Sequence, residues 1–169
     1  VGATAGRTRL RISRVEVCSE RLPKAFDGAR IVQLSDLHLG TIVRPERELT
    51  RLVDSINALR PDWVVFTGDM VNIRAEELDE RAARLLGRIK APVYSVTGNH
   101  DIGAYIKDSL HHPMEENLHE VIARQRAMGW QVLDDETCYL HRGGDSISLT
   151  GLSFDPAPRP PRHQRDLPA

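Results

Sequence analysis

The chain has 169 residues, 40% of them apolar and 28% charged, with 23 Lys and Arg against 24 Asp and Glu and a formal net charge of −1. That length supports one globular domain burying about 70% of the surface its unfolded chain exposes, and the balanced charge argues against a basic field built for nucleic acid or an acidic membrane. No run approaches the roughly 18 consecutive apolar residues that span a bilayer, and two cysteines, Cys18 and Cys138, make no disulfide framework and suit a reducing compartment.

Residues 10–17 alternate imperfectly through Leu10, Ile12, Val15 and Val17 and predict an edge strand. Residues 29–35 are short and β-branched and predict a buried strand. Between Pro45 and Leu59 the apolar positions Leu49, Leu52, Val53, Ile56 and Leu59 have helical spacing. Pro45 suits the first helical position, Glu46 and Glu48 complement the positive end of the helix, and Pro61 stops it. A strand over residues 63–67 follows, then a helix marked by Leu78, Ala82, Leu85, Leu86 and Ile89, then a strand over residues 92–96. Leu118, Val121, Ile122 and Met128 mark a third helix, with Gly129 as its C-terminal cap. Two further strands are predicted around residues 138–141 and 147–152, joined by a turn at Gly143, Gly144 and Asp145. Strands alternating with helices predict an α/β sheet, parallel at its centre. Residues 156–165 hold four prolines and no hydrophobic period, which predicts an extended or disordered tail over 156–169.

Polar residues gather immediately after three of these strands. The first leads into Asp36, Leu37 and His38, the second into Gly68 and Asp69, and the third into Gly98, Asn99, His100 and Asp101. Asp36 and Asp69 are 33 residues apart and Asp69 and Asn99 are 30 apart, each separation fitting one strand–helix–strand crossover. The carboxyl ends of strands form the ligand crevice of open α/β sheets, so the three turns are expected to meet in one place. Carboxylate, imidazole and amide oxygen together suit divalent ions such as Mn²⁺, Fe²⁺ or Zn²⁺. Each turn alone is ordinary loop chemistry; in this order and at this spacing they point to a metal site.

The three blocks resemble those of the calcineurin-like metallophosphoesterases, whose signature runs D-x-H, G-D, G-N-H-D/E, a lone His and G-H-x-H. The text around them, from Val32 to Gly40 and from Pro61 to Asp69, looks like the bacterial membrane-associated phosphodiesterase-like branch. The resemblance implies the N-terminal part of the four-layer α-β-β-α metallophosphoesterase sandwich over residues 1–155. It further implies that Asp36 and His38 bind a first metal, that Asp69 bridges two, and that Asn99 binds the second. His100 would stabilise the transition state or protonate the leaving oxygen, and Asp101 would fix the His100 tautomer by accepting its other N–H. The implied reaction is hydrolysis of a phosphate mono- or diester by a metal-activated water at a binuclear Mn, Fe or Zn site.

The remaining histidines depart from the pattern. His111, His112, His119, His141 and His163 neither follow a Gly nor stand in G-H-x-H. His111 and His112 read as a solvated loop, His119 and His141 as surface residues, and His163 lies in the tail. The chain thus carries three of the five blocks, and the alternative reading is a truncated, catalytically impaired remnant holding one weak metal. Beyond Asp155 the change to Pro, Arg and Ala reads as a frameshifted, truncated or cut chain. The partner implied by the resemblance is a phosphate-ester small molecule, lipid- or nucleotide-linked, with no specific nucleic-acid binding. The implied location is cytoplasmic, with peripheral association to the inner membrane allowed. Arg7, Arg9, Arg11 and Arg14 could face an acidic leaflet, although a solvated strand face is the simpler reading.

Overall fold

A computed structural model describes residues 10–103, 105–106 and 114–154. Its elements in chain order are β1 (Ile31–Leu34), α1 (Pro45–Leu59), β2 (Trp63–Thr67), α2 (Glu80–Leu86), β3 (Val93–Val96), α3 (Met114–Ala127), β4 (Gln131–Val132), β5 (Thr137–Arg142) and β6 (Asp145–Thr150). Short 3-10 helices stand at Lys24–Phe26, Leu39–Thr41 and Ala75–Glu77. β1 to β4 form one parallel sheet in sequential order, and β5 and β6 form a separate antiparallel hairpin.

α1 forms where its sequence places it. Pro45 occupies its first turn with Glu46 and Glu48, and Leu49, Val53 and Ile56 are buried at i, i+4 and i+7. Arg60 closes the helix in the left-handed conformation directly before Pro61. α2 starts on Asp79, whose Oδ1 accepts the Ala82 N–H at 2.7 Å, satisfying one donor the helix cannot satisfy itself. α3 ends in paired bonds, Gly129 N–H to the Arg126 carbonyl and Trp130 N–H to that of Gln125, the arrangement typical of a glycine-terminated helix.

The pleat of β2 and β3 sorts their side chains between two cores. Val64, Phe66 and Val93 face the helices and pack with Val53, Leu86, Val121 and Trp130. Trp63 and Tyr94 face the other way, against Phe26, Leu140, Ile147 and Leu149. Helices cover one face of the sheet and the β5–β6 hairpin the other, which agrees with the α/β fold expected from sequence. The ring of Phe66 is 1% exposed, and burial of a side chain of that size stabilises by about 1.5–3 kcal/mol.

Several expectations are corrected. Residues 10–17 form no strand, and Val15 and Val17 are 85% and 79% exposed: alternation prepares a strand, but among the described residues no neighbour pairs with it. Among the described residues β1 is an edge strand, with Ile31 half exposed, rather than a buried one. β4 has only two residues and went unpredicted, because so short a strand carries no period. Residues 107–113 and 155–169, with His111, His112, His163 and the predicted tail, lie outside the described residues, as do Arg7 and Arg9.

Candidate metal centre

The three polar turns meet because their strands are adjacent. β1 pairs with β2 and β2 with β3 in parallel register, so all three carboxyl ends open on the same edge. The pairing continues past the strands: Asp36 N–H donates to the Gly68 carbonyl at 3.0 Å and His38 N–H to the Asp69 carbonyl at 3.1 Å.

Asp36, His38 and Asp69 all adopt positive φ, at 58°, 42° and 60°. This left-handed conformation costs a residue with a side chain about 1–2 kcal/mol, though Asp and His tolerate it better than most. Surrounding bonds hold it in place, including one from Asp69 N–H to Asp101 Oδ2 at 2.9 Å. Such strain gathers at functional sites. Gly68 and Gly98 permit the turns to touch: a Cβ on Gly68 would lie 2.7 Å from the Gly98 nitrogen, and one on Gly98 would lie 2.7 Å from the Asp69 nitrogen.

His38, Asp69 and His100 each offer a ligand atom, and these atoms lie within 4.8 Å of one another. His38 Nε2 is 3.8 Å from Asp69 Oδ2 and 3.6 Å from Asp36 Oδ1. The two imidazole rings stand edge to face with centroids 4.4 Å apart. Asp69 uses its other oxygen, Oδ1, to accept the His100 backbone N–H at 3.0 Å. The Asp36 side chain is 64% exposed and bonds to Ser35 Oγ. Asn99 shares with Asp36 and Asp69 a cleft of about 340 Å³, one wall of which is Leu152 and Phe154.

The donor set fits a divalent ion on structural grounds. His38 Nδ1 is buried without a hydrogen-bond partner, and among the described residues no Lys or Arg pairs with Asp36 or Asp69. Imidazole and carboxylate held together with no cation nearby are the surroundings that borderline divalent metals favour.

His100, expected to handle a proton, also brings its ring within reach of the donor cluster. One assignment changes. Asp101 does not orient that ring. Its carboxylate is fully buried and accepts the backbone N–H groups of Asp69, Gly98 and Val71 at 2.9, 2.9 and 3.1 Å. Burial raises its pKa above the ordinary value, while these three donors pull the other way. The partner of His100 Nδ1 is instead the Asn72 carbonyl, at 2.7 Å.

Tyr105 was missed. Its ring stacks on His100 with centroids 4.3 Å apart, and its hydroxyl accepts from Asn99 Nδ2 at 3.0 Å; no motif block contains it, and only the turn brings it back. His119 and His141 are exposed, as read from sequence.

Fold and site together define an α/β protein with an imidazole–carboxylate metal-type centre at the carboxyl edge of a parallel sheet. The chain belongs to the calcineurin-like phosphoesterase family, whose sequence model matches residues 29–164. It is 38% identical over 107 residues to a UDP-2,3-diacylglucosamine pyrophosphatase, LpxG, of Chlamydia trachomatis, covering 60% of this chain and 31% of that protein. It is 43% identical over 89 residues to a transmembrane protein with metallophosphoesterase domain of Danio rerio, covering 52% of this chain and 20% of that one. A solved phosphopantetheinyl hydrolase from Mycobacterium tuberculosis aligns with TM-score 0.48 and 21% identity over 73% of this chain and 42% of its own. The matched stretch thus spans a third or less of these two curated relatives. No helix among the described residues is long and apolar enough to cross a membrane.

Proposed function

We propose that this site hydrolyses phosphate esters with the help of divalent metal. The observation that carries the reading is the convergence of His38, Asp69 and His100, with Asp36 and Asn99 on the same cleft. Asp36, His38, Asp69 and Asn99 would hold the ions, with Asp69 placed between the turns so that it can serve two. A bound divalent ion supplies Lewis-acid polarisation of a phosphoryl oxygen and a lowered water pKa.

The rest of the chemistry belongs to the chain. A carbonyl only accepts, so the Asn72 carbonyl places the proton of neutral His100 on Nδ1. Nε2 is then the nitrogen left to meet an ion or to exchange a proton with the ester's leaving oxygen. Tyr105 takes the Asn99 amide N–H, which turns the amide oxygen, the better ligand, away from it. Asp101 holds the turns at fixed separation.

The substrate we favour is a phosphodiester or pyrophosphate carried on a lipid or nucleotide, as the name of the Chlamydia relative suggests for that protein. Leu152 and Phe154 beside the cleft suit an apolar substituent. Peripheral membrane association belongs to the same reading. The test is Mn²⁺-stimulated hydrolysis of an aryl phosphodiester by the full chain, with metal counted per chain. Activity lost in Asp69→Asn is expected; no hydrolysis above a metal-only control overturns the proposal.

A further inference from the structure

Glu77 lies in none of the motif blocks. It ends the 3-10 helix Ala75–Glu77, and its carboxylate accepts three backbone N–H groups: Gly40 at 3.2 Å, Asn72 at 2.5 Å and Ile73 at 3.2 Å. Gly40 lies two residues beyond His38, and Asn72 lies three beyond Asp69. The Asn72 carbonyl is in turn the partner of His100 Nδ1 at 2.7 Å. One carboxylate therefore ties the turn after β1 to the turn after β2 and, through Asn72, reaches the ring carried by the turn after β3. Gly40 is shaped for this contact, because a Cβ there would lie 2.4 Å from Glu77 Cδ and 2.6 Å from both oxygens. Bonds from N–H groups to an ionised carboxylate are about twice as strong as neutral ones.

We propose that Glu77 is a positioning residue of the metal centre, setting the tautomer and orientation of His100 through the Asn72 carbonyl. The Asn72 carbonyl shares its peptide plane with the Ile73 N–H, and in this irregular turn no ladder of sheet or helix fixes that plane. The Glu77 carboxylate does so by accepting the Ile73 N–H at 3.2 Å, and a carbonyl fixed 2.7 Å from Nδ1 admits only the Nδ1–H form of a neutral ring. Without the clasp the peptide is free to turn, and His100 samples both tautomers. The functional weight of this inference rests on the phosphoester reading above, but the tautomer can be observed with neither substrate nor metal.

The experiment is long-range ¹H–¹⁵N spectroscopy of the full chain, ¹⁵N-labelled at its seven histidines, after chelation and at about pH 8.5, about two units above the reference value of a free imidazole. The His100 signals are assigned by their loss in His100→Gln. The wild-type chain is expected to show a protonated Nδ1 and an unprotonated Nε2. Glu77→Gln keeps an acceptor for Ile73 and should retain that pattern. Glu77→Ala, and independently Gly40→Ala, which evicts the carboxylate, should show averaged tautomers while unfolding cooperatively. Should Glu77→Ala fail to fold, Glu77→Asp, one methylene short of Ile73, takes its place with the same expectation. An Nδ1–H form that persists in the Gly40 variant and in the Glu77→Ala or Glu77→Asp chain overturns the proposal, as does its absence from wild type. An inactive wild-type chain with the expected spectra would refute the phosphoester reading alone.

Discussion

Asp101 Oδ2 accepts the backbone N–H of Asp69 at 2.9 Å, while the same oxygen takes the N–H of Gly98 at 2.9 Å. One buried carboxylate thus pins together the second and third turns of the site from beneath, and its Oδ1 secures Val71 beyond Asp69. The last letter of the G-N-H-D block is in this way a fastener of the backbone on which the ligands stand.

Asp101→Asn keeps the shape and removes one acceptor. With its amide oxygen toward Asp69 and Gly98, its NH₂ faces the Val71 N–H, donor against donor. A buried donor left unsatisfied costs about 1–3 kcal/mol, so the urea unfolding midpoint should fall by that equivalent, and Mn²⁺ affinity with it. An unchanged midpoint would contradict the fastening role.

Gly68→Ala should destabilise more than Gly28→Ala. Both positions have positive φ, 98° and 69°, and each carries the left-handed penalty of about 1–2 kcal/mol. At Gly28 a Cβ meets nothing within 4 Å, whereas at Gly68 it meets the Gly98 backbone at 2.7 and 2.8 Å. Overpacking adds about 1–3 kcal/mol, and paired urea titrations measure the difference. Equal losses would refute the close approach of the two turns.

Tyr105→Phe separates the hydroxyl from the ring. Phe retains the stacking on His100 but leaves the Asn99 Nδ2 donor without its partner. A hydrogen bond of this kind contributes about 0.5–1.5 kcal/mol, so Mn²⁺ affinity measured by titration calorimetry should drop about 2- to 10-fold. Tyr105→Ala should lose more, and wild-type affinity in both variants would remove Tyr105 from the site.

Cys138 predicts the alkaline behaviour of the fold. Burial pushes its thiol above the ordinary value of 9.0, and burial with the Cys138 charge pushes Tyr94 above 10.0. A group whose pKa is raised by folding stabilises fully below its unfolded value and loses that stabilisation as pH rises through the folded one. Urea stability should therefore decline once pH passes about 9, and Cys138→Ser should flatten the start of the decline. The exposed Cys18 should react faster with a thiol reagent than Cys138; the reverse order would contradict the burial.

The sequence by itself determined most of the elements and the chemistry at their ends. α1 and β2 occupy the predicted residues, and the hairpin turns at Gly143 and Gly144, both at positive φ, because capping, helical spacing and turn residues are local signals. The spacing of Asp36, Asp69 and Asn99 also foretold that adjacent parallel strands would bring their turns together. Tertiary structure alone decided which groups touch. It gave the His100 ring to Asn72 instead of Asp101, brought Tyr105 over that ring, and joined Gly40 to Glu77 across 37 residues. It also left residues 10–17 unpaired despite their alternation. A period of two or 3.6 fixes which face a side chain occupies, but a hydrogen bond between loops depends on strand order, register and backbone twist, which no local pattern carries.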